Sequence, residues 1–211
     1  MTSALVLVSM VALLTAANPF ERTAVRAASA EYRVDSARSR ATIHVGKAGM
    51  FGFIAGHTHE VVGPIEAGTI EVDLEQPSRS RVRLTIAASA LQVAAAGEPE
   101  GDAPKVQEAM EGPKVLDVAR YPRITFESRT ITAKARRGNA LDLNVSGQLT
   151  IRDVVQPVTA PVHVDLTDGA LTAAGRFAIK QSAFGIEPIS VGGVVAVKDA
   201  LEIEFSIAAK K

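Results

Sequence analysis

The sequence has no cysteine and no tryptophan, two tyrosines and seven phenylalanines in 211 residues. Without cysteine there are no disulfides, no thiolate metal sites, no thiol nucleophile and no lipidated cysteine of the bacterial lipoprotein kind. With so few aromatic rings, small and branched aliphatics must fill the interior or leave it partly empty, since 47% of the residues are hydrophobic. Charge of one sign is also missing. The 23 basic and 23 acidic residues cancel, so there is neither a basic footprint for nucleic acid nor an acidic tail. No G-x-S-x-G elbow, helix-opening G-x-G-x-x-G or H-E-x-x-H appears, so the common hydrolase, dinucleotide and zinc-protease signatures are absent. Ser89 and Ser182 lie in apolar surroundings without a sequence-adjacent base, and carboxylates fall mainly on the polar faces of strands.

Long apolar runs are confined to the N-terminus. Ala4 to Ala17 has the length of a signal-peptide core and is too short to span a bilayer comfortably. Ala28-Ser29-Ala30 then supplies a small-x-small cleavage site before Glu31. Residues 1–30 are therefore read as an export segment outside the fold, residues 31–211 as one domain, and the location as periplasmic or secreted.

What the chain has in abundance is alternation. In Leu141 to Leu166, one arm places Leu141, Leu143, Val145, Gly147, Leu149 and Ile151 on one side, and polar residues on the other. After a break expected around Asp153 to Pro157, Val158, Ala160, Val162, Val164 and Leu166 resume the pattern. A period of two is that of a half-buried strand, and two such arms with a short connection make an antiparallel hairpin. Similar segments surround Ile43, Ile70, Val82, Phe126, Phe177 and Ile203; Ile70, Val72 and Leu74 are set against Thr69, Glu71 and Asp73. About eight antiparallel strands result, which bury one face either as a sandwich or as a closed up-and-down barrel. With few aromatics to plug it, a barrel of this size holds an elongated apolar cavity. One short helix is expected after the loop Gly97 to Pro104, capped by Asp102, with Val106, Ala109 and Met110 on one face and Gly112-Pro113 as its stop.

Two further stretches are candidates for function. His57-Thr58-His59-Glu60 puts two imidazoles on one side of an extended chain, where they can share a metal, line a lumen as polar groups, or be structural. A metal would need a third ligand, and His44 and His163 fall on outward faces. Gly46, Gly49, Gly52 and Gly56 flank Met50, Phe51 and Phe53, either as a loop with apolar tips at a cavity mouth or membrane, or as a bulged strand.

Four motifs lie in order along the chain: Tyr32-Arg33-Val34-Asp35, Tyr121-Pro122-Arg123-Ile124-Thr125-Phe126-Glu127-Ser128, Gly147-Gln148-Leu149-Thr150-Ile151-Arg152, and Gly175-Arg176-Phe177 followed by Ser182-Ala183-Phe184-Gly185-Ile186. Together they resemble the YceI family of bacterial isoprenoid-binding proteins. Arg38-Ser39 stands where that family usually has His-Ser. The resemblance implies a lipocalin-like barrel, an exported location, a long-chain isoprenoid or quinone-type lipid as ligand, no catalysis and no cofactor. On this reading Phe51, Phe53, His57, His59, Phe126, Leu149, Phe177 and Phe184 meet the ligand. The alternatives are a metal-dependent site at His57 and His59, and a solid-cored interaction module. Transient membrane contact is expected, nucleic acid is not, and monomer and homodimer both stay open.

Overall fold

The structure is a computed structural model that describes residues 29–48, 59–191 and 195–211. The expected export segment up to residue 28, the stretch with Met50, Phe51, Phe53 and His57, and the pair Gly192-Gly193 lie outside the described residues.

Among the described residues twelve strands follow one another as β1 (Ala30–Val34), β2 (Arg40–Ala48), β3 (His59–Pro64), β4 (Ala67–Val72), β5 (Arg81–Ala87), β6 (Gln92–Val93), β7 (Arg123–Arg137), β8 (Ala140–Ile151), β9 (Val154–Thr167), β10 (Ala170–Lys180), β11 (Ser190–Val191) and β12 (Val195–Lys210). Helix α1 (Ala103–Glu111) lies between β6 and β7. The ladder runs β1-β4-β5-β7-β8-β9-β10-β12, and β12 pairs back onto β1 through Arg33↔Lys210 and Val34↔Ala209. Eight antiparallel strands therefore close into a barrel. The choice between sandwich and barrel is decided by that last pairing. A branch β12-β2-β3-β6 extends one end of the barrel.

The long strands alternate as their sequence requires. Residues 141, 143, 145, 147, 149 and 151 of β8 are all buried, and their neighbours are not. The hairpin turn is tighter than the prolines suggest. Ile151 pairs with Val154, so Arg152 and Asp153 form the whole turn, at φ 52° and 60°. Two positive φ values in a two-residue loop match the strand twist, at roughly 1–2 kcal/mol for each non-glycine residue. Arg152 offsets part of this, since its guanidinium donates to the Val115 carbonyl at 3.1 Å and lies over the Tyr121 ring. Pro157 is then not a breaker but an outward-facing strand residue opposite Gln148. The prolines act on the other neighbour. The β9–β10 ladder stops at Gly175↔Val162, and the next residue on β9 is Pro161, which has no N–H to donate.

Two other expectations are corrected. β4 ends at Val72 and Asp73 turns inward, 3% exposed, where its carboxylate accepts the Glu75 and Gln76 amides at 3.0 and 2.8 Å and so shapes the turn to β5. Asp102 does not cap α1; its carboxylate accepts from Lys105 Nζ at 3.0 Å.

Where β1 hands over to β2 on the edge of β12, Ser39 fills the gap. Its hydroxyl donates to the Ala208 carbonyl at 3.1 Å and accepts the Ala208 amide at 3.0 Å, imitating a strand residue. Ser128 has a related role at a β7 bulge, where its hydroxyl accepts the Val82 amide at 2.9 Å.

Candidate functional site: a lumen with two ends

The inward side chains do not meet in the middle. They enclose a cavity of about 600 Å³ lined from α1 to the β4–β5 turn. Two buried clusters wall it. One, at the hairpin end, where the β4–β5, β7–β8 and β9–β10 turns lie, includes Tyr32, Ile131, Leu141, Leu143, Val164 and Leu171. The other, at the helix end, includes Val61, Leu149, Ile151, Ile179, Phe184 and Ile186. A hollow of this size and character is typical of a small-molecule site.

Of the residues expected to meet a ligand, His59, Phe126, Leu149, Phe177 and Phe184 all line this cavity. Phe51, Phe53 and His57 lie outside the described residues. Val106, Ala109 and Met110 turn one face of α1 toward the lumen, as their spacing predicts. No residue of α1 is buried.

Polar groups in the lumen wall are few. At the hairpin end Asp73 and Ser80 serve the turn, the Ser80 hydroxyl accepting the Asp73 amide at 3.0 Å. Gln181 is spent on the Lys198 carbonyl at 2.8 Å. At the helix end the His59 imidazole, with its Nδ1 against the Glu98 carboxylate, faces the cavity. The Glu98 side chain is only 1% exposed and that of His59 16%. An enclosed carboxylate must be paired, and His59 is its partner. Glu98 was invisible in the sequence. It sits in Gly97 to Pro104, a segment that composition marks only as a loop, and no local pattern shows that the loop folds back onto β3.

His44 and His163 are outside, as alternation requires. His44 faces Glu60 at 3.8 Å. His163 lies between Asp142 at 2.6 Å and Asp165 at 3.3 Å. The Asp142 hydrogen bond holds its pKa above the ordinary histidine value, against desolvation and with help from the Asp165 charge. Among the described residues no three His, Asp or Glu side chains gather as metal ligands do. Ser182 meets Asp199, donating its amide at 2.8 Å and its hydroxyl at 2.7 Å. Those bonds hold the Asp199 carboxyl below its usual range, and tie the turn after β10 to β12.

Alternation, closure and a hollow lumen define an antiparallel barrel of the small-molecule-binding class. The YceI-like domain profile matches residues 32–209, and the chain belongs to that family. Among solved structures it is similar to Burkholderia cenocepacia BcnA, with 24% identity, TM-score 0.63 and coverage of 84% of this chain and 99% of that one. It is also similar to the Campylobacter jejuni YceI protein, with 14% identity, TM-score 0.53 and coverage of 68% and 80%. Likenesses at these identities establish the fold. No curated protein matches the sequence.

Proposed function

We propose that this protein is an exported, non-catalytic carrier or reservoir for a long-chain isoprenoid or quinone-type lipid. The observation that carries the reading is the continuous apolar lumen of about 600 Å³, with His59 at the helix end as its cavity-facing imidazole. Transfer of apolar chain from water contributes roughly 0.8 kcal/mol per methylene-sized group, so aliphatic walls suffice for affinity without any motif. His59, steadied by Glu98, positions the polar head. Export rests on the Ala4–Ala17 run and the Ala28-Ser29-Ala30 site; cleavage there leaves Glu31, paired with Glu71, as the first residue of the barrel.

The test is native mass spectrometry of the chain from Glu31, prepared by export without lipid-stripping detergent, followed by solvent extraction. A discrete adduct released as an isoprenoid or quinone is the expected result. A bare protein mass, also after incubation with such lipids, sinks the reading.

A further inference from the structure

The two clusters that wall the lumen are joined through a few shared side chains. Three side chains pack against both: Ile86 on β5, Phe126 on β7 and Phe177 on β10. A third ring, Phe205 on β12, lies 6.3 Å from that of Phe177, centroid to centroid. Two of the four phenylalanines among the described residues therefore bridge this boundary and a third lies beside it, on a wall built mainly from aliphatics.

The wall beside these rings is cut away to receive them. On β8 the inward residue beside Phe126 is Gly147, where a Cβ would stand 2.6 Å from the Phe126 ring. On β10, Gly175 is paired with Phe205, and a Cβ there would stand 2.7 Å from that ring. Neither glycine has positive φ, so neither is needed for backbone freedom. Their service is space, since a side chain at either would meet a neighbouring strand's carbonyl (Glu127 or Pro161) as well as the ring. Each lets a ring lie back against the sheet, and the cavity stays continuous past the rings instead of being plugged by them.

We infer that Ile86, Phe126, Phe177 and Phe205 form a waist that sets which lipids reach the hairpin-end chamber: slim, flexible chains thread it, and rigid fused-ring lipids do not. This rests on the lipid reading above, and it gives the ligand an orientation. The broad head stays in the helix-end chamber beside His59, and the tail passes the rings.

The experiment compares binding of geranylgeraniol, solanesol and cholesterol to the wild type, to Phe126→Leu with Phe177→Leu, and to Phe177→Trp, by native mass spectrometry and fluorescence displacement. Circular dichroism checks that each variant keeps its strands. Wild type takes the prenyl alcohols and binds cholesterol weakly. The double leucine variant narrows that preference by about 10–200-fold, the range that steric fit in an apolar pocket delivers. Phe177→Leu alone moves it the same way by less. Phe177→Trp lowers affinity for solanesol more than for geranylgeraniol. Equal binding of cholesterol and prenyl alcohols by the wild type, or an unchanged preference in the leucine variants, overturns the waist while leaving the lipid carrier standing. If no prenyl alcohol binds the wild type, both readings fall.

Discussion

The two ends of this barrel are built from the same alternating strands and finished in different ways. At the hairpin end the ladder closes on itself: β1 meets β12, and Ser39 bonds both backbone groups of Ala208 where the strand is interrupted. At the helix end, among the described residues, the ladder path finishes on β6, which pairs with β3 on one side only. A side chain covers its other edge. Gln107 of α1 accepts the Val93 amide at 2.8 Å and donates to the Leu91 carbonyl at 2.9 Å, so one amide side chain stands in for a strand. An exposed strand edge is normally a liability; here a short helix blunts it. One end is sealed by a closed hydrogen-bonded ladder, the other by a helix with no buried residue. That asymmetry places the more easily opened segment beside His59.

The largest effect that sharpens this contrast comes from charge in the wall. Leu141→Glu, at a position 2% exposed in the hairpin-end cluster, leaves an unpaired carboxylate in apolar surroundings and costs on the order of 3–5 kcal/mol. Met110→Glu on the lumen face of α1 costs about 1 kcal/mol, because the helix can turn the charge to water. Urea midpoints measure both, and equal losses would erase the distinction between the ends.

The hydrogen-bonded substitutes for strand come next. Ser39→Ala orphans two buried groups and lowers global stability by about 1–3 kcal/mol. Gln107→Ala also orphans two groups, yet its consequence is local opening. Hydrogen exchange at the Val93 amide accelerates while exchange in β8 and β9 does not. Matching acceleration across the whole barrel would show that α1 belongs to the same cooperative unit as the closed end.

The smallest effect lies on the outer wall. With its pKa raised in the folded state, His163 adds stability that is complete below its unfolded value of about 6.5 and is lost as pH rises through the folded one. An NMR titration shows the raised midpoint, and His163→Gln removes the corresponding slope in stability. Lipid binding stays unchanged in that variant, because His163 is no part of the lumen.

Much of this was legible in advance. Period-two patterning put Leu149, Phe126 and Phe177 on the inner face, and the 3.6-residue period did the same for Val106, Ala109 and Met110. Errors arose where a residue's role depends on a partner that side-chain parity does not show. Pro157 reads as a breaker because prolines usually end strands; it is tolerated here because β10 does not bond that stretch of β9. Asp73 reads as outward by parity, and is inward because two amides of the next turn capture its carboxylate. Glu98 gave no signal at all, since its partner His59 lies 39 residues earlier in the chain.

By itself, then, the sequence determined which face of each long strand is apolar, that the main sheet has about eight antiparallel strands, and that no cysteine chemistry operates. Those properties are local, because side-chain parity and residue type need no knowledge of the rest of the chain. Only the tertiary structure decided that the sheet closes through β1 and β12, that the core is hollow, that rings and glycines form a waist, and that Glu98 meets His59. Each of these depends on the distance between segments far apart in sequence, which barrel closure fixes and no local pattern encodes.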